Sequence, residues 1–210
     1  MRKIPLRKES IIYLLLLGLI TIILYIFLSI LAIIPFILFL FVLYFFRDPE
    51  RIIPFDNKAI ISPADGTVMS ITDVEDEHFK DSRAKKISIF LSIFNVHVNR
   101  SPIAGKVISK GYRPGKYLPA FKSHASELNE RNTLCIENDY TKVIVHQITG
   151  LIARRIICFS KEGDILKQGE RFGLIKFGSC TEIIVPYDTV VQVNKGDTVR
   201  GGLTVIGVIK

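Results

Sequence analysis

The chain has 210 residues, a formal net charge of +8, three cysteines and no tryptophan, and 49% of its residues are hydrophobic. Its basic residues are scattered rather than clustered between stacking aromatics, which excludes an ordinary nucleic-acid-binding surface. Cys135, Cys158 and Cys180 are odd in number and lack metal-ligand spacing, so they exclude a disulfide framework and fit a reducing compartment.

The first predicted element is a membrane segment. Residues 11–46 carry no charged side chain and are dominated by Leu, Ile and Phe. The run exceeds the ~20 residues that cross a bilayer once, and it is too long for a signal peptide. At ~1.5 Å per residue it spans roughly 54 Å, a little short of two crossings of ~30 Å. We expect a helical hairpin turning around residues 29–35, with a shallow dip into one leaflet as the alternative. Arg2, Lys3, Arg7 and Lys8 precede the run, and Arg47 and Arg51 follow it. Both ends are therefore expected on the cytoplasmic side of the inner membrane. The positive charge suits an anionic lipid surface. Residues 1–46 thus read as an anchor, and residues 47–210 as one domain with a single core.

Beyond residue 46 the pattern is mainly β. Partial alternation over residues 85–97 and short Ile- and Val-rich runs at 143–148, 152–158 and 182–185 predict strands. Gly-containing turns separate them, and the best candidate for a helix is residues 124–129. Gly163-Asp164 and Gly196-Asp197 each open a Gly-punctuated stretch, an internal echo of the folded hairpins in a lipoyl-like barrel sandwich.

Four segments carry polar residues in patterns that suit chemistry. In Ser62-Pro63-Ala64-Asp65-Gly66 a turn holds a carboxylate, either bracing its own backbone or orienting an imidazole. In Asn95-Val96-His97-Val98-Asn99-Arg100, alternation puts Asn95, His97 and Asn99 on one strand face, with His97 able to move a proton near neutral pH. Asn129-Glu130-Arg131-Asn132 is dense in hydrogen-bonding groups, and its spacing alone assigns no chemistry. Of Arg154 and Arg155, adjacent on a predicted strand, at most one can line a given site.

The fourth segment is Phe177-Gly178-Ser179-Cys180. Gly178 leaves its carbonyl open to close approach, and Ser179 offers a hydroxyl next to that carbonyl. Once a base activates it, the hydroxyl can attack the Gly178 carbonyl and move the acyl group from nitrogen to oxygen. Elimination from the ester leaves dehydroalanine, which hydrolyses to a pyruvoyl group and ammonia. Cleavage there leaves a tail of residues 179–210. Cys180, next in line, is a candidate reactive thiol.

Together with Phe45-Phe46-Arg47-Asp48-Pro49-Glu50-Arg51 and residues 94–105 and 150–156, these segments resemble the short bacterial and archaeal phosphatidylserine decarboxylase proenzymes, in family order over nearly the whole chain. The resemblance implies self-cleavage between Gly178 and Ser179 into a β chain (1–178) and an α chain (179–210) that stay associated. It implies a pyruvoyl cofactor derived from Ser179, with no metal or external cofactor. The substrate would be a membrane phospholipid: phosphatidylserine would join the pyruvoyl as a Schiff base, lose CO₂ and leave as phosphatidylethanolamine, in phospholipid biosynthesis. It implies that Asp65, His97 and Ser179 drive self-cleavage. Larger members carry two histidines three residues apart in this segment. Here His97 stands alone and Arg100 takes the second place, so either His97 serves both steps or another group is recruited. His97 and Arg100 are also the candidate substrate-binding residues. Cys180 stands where many relatives have Arg or Lys. A homo-oligomer is compatible with the sequence. The competing reading is a membrane-anchored lipoyl-like adaptor without catalysis, which calls for long heptad helices that this chain lacks.

Overall fold

A computed structural model describes residues 5–54, 56–119, 125–150, 155–176 and 179–210. The chain divides between Glu50 and Arg51 into two compact units.

The first unit is helical. Two apolar helices, α1 (Ile11–Phe27) and α2 (Ile33–Phe45), are separated by a 3-10 turn over Ser29–Ala32. Leu28 breaks the first helix with φ −147° and ψ 66°. Tyr13 stacks on Phe46 with ring centroids 5.8 Å apart, and Gly18 lies opposite Phe39, so the helices run antiparallel. At the open end Arg7 N–H donates to Phe46 O at 3.1 Å and Asp48 N–H to Pro5 O at 2.9 Å, so the two ends of the apolar run emerge side by side. The stretch Lys8–Phe27 is long and apolar enough to cross a membrane, whereas Ser29–Phe45 is shorter. In an apolar medium every backbone group needs an internal partner, which an uninterrupted helix supplies. Thr21 Oγ1 donates to Leu17 O at 2.7 Å, satisfying its hydroxyl in the same way.

The second unit is mainly β, as expected. Its strands are β1 (Ala59–Ile61), β2 (Gly66–Glu75), β3 (Arg83–Leu91), β4 (Val98–Arg100), β5 (Gly105–Arg113), β6 (Arg131–Glu137) and β7 (Lys142–Thr149). They continue as β8 (Arg155–Cys158), β9 (Ile165–Leu166), β10 (Arg171–Lys176), β11 (Ser179–Pro186), β12 (Val190–Val191), β13 (Thr198–Val199) and β14 (Val205–Val208). A four-residue helix, α3 (Ala125–Leu128), stands where residues 124–129 were expected to be helical. His124 lies outside the described residues.

The large sheet is antiparallel and has the order β13-β2-β3-β11-β7-β6-β5-β9. Two three-stranded sheets, β1-β14-β12 and β4-β10-β8, complete the unit. The large sheet has an internal two-fold pattern about the β11–β7 pair, in which β13, β2 and β3 correspond to β9, β5 and β6. The Gly-Asp turns are its clearest sign. Gly163 N–H donates to Val107 O and Gly196 N–H to Val68 O, both at 2.8 Å. Val107 N–H and Val68 N–H return bonds to Asp164 O and Asp197 O at 2.8 and 2.9 Å. Each aspartate also caps its own turn, Asp164 Oδ2 accepting from Lys161 N–H and Asp197 Oδ2 from Asn194 N–H. Both long strands shift register after the same valine, between Val68 and Ser70 and between Val107 and Ser109. The bulges curl the sheet around its core.

That core holds fully buried side chains from all three sheets, among them Ile60, Ile89, Leu134, Val145, Phe172 and Ile183. Each such side chain stabilises the fold by roughly 1.5–3 kcal/mol through burial.

Candidate active site

Ser179 is the first residue of β11, the strand at the centre of the large sheet. It pairs in register with Leu91 of β3 and Thr149 of β7. Its side chain is fully buried, and among the described residues nothing hydrogen-bonds to its Oγ. Leaving a buried hydroxyl unsatisfied costs about 1–3 kcal/mol, so such a group calls for a reason.

Strand alternation divides β11 into two faces. Ile183 points into the core, and Ser179 and Thr181 extend the same face toward one end. Their register partners Thr149 and Gln147, and Asn132 beyond Gln147, make this end polar although all are buried. The amides form a directed chain. Asn132 Nδ2 donates to Gln147 Oε1 at 2.9 Å, and Gln147 Nε2 donates to Asn99 Oδ1 at 2.9 Å. Asn99 Nδ2 then donates to Thr181 Oγ1 at 3.0 Å and approaches Pro63 O at 3.5 Å. Pro63 O can only accept, which fixes the direction of the whole chain. Gly173 makes room for it, since a Cβ there would lie 2.5 Å from Gln147 Nε2.

His97 is fully buried just before β4. Its Nδ1 lies 3.0 Å from Asn95 O, and its own carbonyl accepts from Ile175 N–H at 3.2 Å. A carbonyl cannot donate, so Nδ1 carries the hydrogen and a neutral ring keeps its basic lone pair on Nε2. The expected stripe of Asn95, His97 and Asn99 on one strand is not what forms. The strand covers only Val98–Arg100, and Asn95 closes a turn in which its Oδ1 accepts from Ser92 N–H and Oγ.

Asp65 sits at the turn the sequence predicted, but its partner is a cation. Arg51 Nη1 and Nη2 donate to Asp65 Oδ1 and Oδ2 at 2.6 and 2.8 Å. Gly201 N–H adds a third bond to Oδ1 at 2.7 Å, and Arg51 Nη1 also donates to Gly201 O. Arg100 is nearly fully buried. Its Nη1 donates to Gly169 O at 3.1 Å and its N–H to Pro63 O at 2.9 Å. Gly178 lies outside the described residues, as do Phe177 and Arg154. Arg155 is exposed on β8.

The structure therefore brings the segments of Asp65, His97, Arg100 and Ser179 to one end of the unit, joined through Pro63, Asn99 and Thr181. Sequence reading missed Arg51, Gln147 and Thr181. Asn129 and Asn132 are buried and bonded: Asn129 Nδ2 donates to Leu118 O and Thr149 O, each at 2.8 Å, and Asn132 heads the amide chain.

The opposite face of β11 has different chemistry. Cys180 is buried there beside Ile148, and burial, aided by Glu182, pushes its thiol far up, so it is no ready nucleophile. Glu182 accepts from Ser88 Oγ at 3.1 Å, and His146 Nδ1 lies 2.9 Å from Thr133 Oγ1. Among the described residues no group of His, Cys, Asp and Glu is arranged to hold a metal ion.

A family model described as phosphatidylserine decarboxylase matches residues 38–207. A phosphatidylserine decarboxylase proenzyme of Carboxydothermus hydrogenoformans is 57% identical over 204 residues, covering 97% of this chain and 96% of the relative. The proenzyme of that name from Symbiobacterium thermophilum is 51% identical over 169 residues, covering 80% and 79%. One from Geotalea uraniireducens is 40% identical over 207 residues, covering 98% and 97%.

Proposed function

The chain belongs to the phosphatidylserine decarboxylase family, and on that footing we propose that it is a decarboxylase made as a proenzyme, converting phosphatidylserine to phosphatidylethanolamine and CO₂ in phospholipid biosynthesis. The observation that carries this reading is Ser179, a fully buried hydroxyl at the head of the central strand that has no hydrogen-bond partner among the described residues.

In the proposed self-cleavage His97 Nε2 takes the proton from Ser179 Oγ, which attacks the Gly178 carbonyl. The peptide C–N bond breaks as the C–O bond forms, and the imidazolium returns the proton to the leaving nitrogen, giving an ester and a free amine on Ser179. Loss of the Ser179 Cα proton then expels residues 1–178 as a carboxylate, and one water converts the remaining enamine to pyruvoyl and ammonia. The polar end around Thr149, Thr181 and Asn99 suits such a group, offering hydrogen-bonding partners inside an otherwise apolar core. The pyruvoyl group supplies an electrophilic carbonyl for the substrate's amine and a sink for the electrons released with CO₂. Asp65 acts by holding the 62–66 turn, and Arg100 and His97 lie on the segment proposed to meet the headgroup. No metal enters this scheme.

We place the protein at the inner membrane, with residues 1–46 as anchor and residues 47–210 on the cytoplasmic side. Support comes from the apolar Lys8–Phe27 helix and the basic residues flanking both ends of the apolar run. An anchored enzyme meets a lipid headgroup without drawing its acyl chains into water.

The test is conversion of phosphatidylserine vesicles by purified wild type, Ser179→Ala and His97→Ala. Phosphatidylethanolamine from wild type alone is expected. Equal conversion by Ser179→Ala would refute the assignment.

A further inference from the structure

Arg51 has no assigned role, yet its guanidinium makes three hydrogen bonds at this end of the second unit. Its side chain is 7% exposed and that of Asp65 12%. The guanidinium meets both carboxylate oxygens, and through Nη1 it also reaches Gly201 O, while Gly201 N–H closes the ring onto Asp65 Oδ1. Three distant stretches of chain thus meet on one planar fork. The fit at Gly201 is close, since a Cβ there would lie 3.1 Å from Ala64 Cα. Ser62 O accepts Gly202 N–H at 2.9 Å, so the same turn is held a second time.

What hangs from this turn matters for the site. Pro63 O receives Arg100 N–H and faces Asn99 Nδ2, and Asn99 Nδ2 holds Thr181 Oγ1, two residues from Ser179. A shift of the turn therefore moves the segment that follows His97 and the polar neighbour of the cleaved bond together. We propose that Arg51 is a positioning residue for self-cleavage, holding Asp65 and the 62–66 turn in the one orientation that sets Asn99 and Thr181 beside Ser179. This rests on the self-cleavage proposed above.

The geometry demands a guanidinium. Two parallel bonds to a carboxylate plus a third to a carbonyl suit its flat array of donors, whereas a lysine ammonium is a point charge on a flexible stem. A misplacement of about 1 Å is enough to slow a positioned reaction roughly a hundredfold.

The experiment follows splitting of freshly made full-length chain by gel and mass, for wild type, Arg51→Lys and Arg51→Ala, beside their thermal midpoints. At a temperature where all are folded, we expect both variants to split roughly a hundredfold more slowly than wild type. Methylguanidinium should restore Arg51→Ala, and methylammonium should not. Should Arg51→Ala fail to fold, Arg51→Lys decides alone. A folded variant splitting at the wild-type rate overturns the inference. So does equal rescue by both amines, or a folded Arg51→Ala that methylguanidinium leaves unchanged. A wild type that never splits overturns the self-cleavage reading instead, so the two failures are distinguishable.

Discussion

Asn99 Nδ2 donates to Thr181 Oγ1 over 3.0 Å, joining the strand that follows His97 to the strand that begins at Ser179. The two residues are far apart in sequence, and each is fully buried. The bond stands at the end of the amide chain from Asn132 through Gln147, so the polar end of the core is one connected network. Such a network orders its members only while every member is satisfied.

Gln147→Leu tests that connection. The change strips partners from Asn99 Oδ1 and Asn132 Nδ2, both buried. Each orphaned group should cost about 1–3 kcal/mol. Urea unfolding of an unsplit Ser179→Ala background, with and without Gln147→Leu, reads the loss. A midpoint that stays put would mean the chain carries no stability.

The paired Gly-Asp turns make a symmetric prediction. Gly163 has φ +91° and Gly196 φ +97°, and a Cβ at either would meet nothing within 4 Å. Alanine at each should therefore cost only backbone strain, about 1–2 kcal/mol. The two losses should be nearly equal in denaturant melts. A large difference would show that the halves are not equivalent.

His146 gives a pH signature. Burial, with Arg131 beside it, holds its imidazole down at about 3, against about 6.5 for an exposed histidine. Between those values the unfolded chain binds the extra proton, so stability rises with pH. The contribution is complete above about pH 6.5 and is lost progressively as pH falls toward 3. Wild type should lose more stability than His146→Gln between pH 7 and pH 4.5, measured by urea midpoint. Parallel losses would remove His146 as the cause.

Splitting should not release the tail. β11 lies between β3 and β7, β13 pairs with β2, and β14 pairs with β1. The tail therefore stays with the rest of the chain under native conditions. Size-exclusion chromatography of split protein in mild detergent should elute both pieces together, separating only in denaturant. Release of the tail without denaturant would contradict this.

Much of the scaffold was legible because local pattern decides it. The Ile- and Val-rich runs became β3, β7 and β11, and the Gly-Asp echo marks a real structural repeat. A stronger signal went unread: Gly66-Thr67-Val68-Met69-Ser70 and Gly105-Lys106-Val107-Ile108-Ser109 share their Gly, Val and Ser and open the two equivalent strands. The candidate site shows in the sequence at Ser179, where the proposed chemistry depends on adjacent residues. It shows less at Asp65, because the Arg51 fork that holds it is set by tertiary approach rather than spacing. Gln147 and Asn132 face each other only through the β6–β7 register, which no single stretch displays. The Asn95 stripe that alternation suggests does not form, because Ser92 captures the Asn95 side chain before the strand begins.

Everything proposed for this site depends on Ser179 breaking its own peptide bond. Denaturing intact-mass analysis of purified wild type beside Ser179→Ala tests it most directly. Two wild-type chains are expected, residues 1–178 and a tail of residues 179–210 blocked to Edman degradation, with Ser179→Ala left whole. A single uncut chain from folded wild type would contradict it.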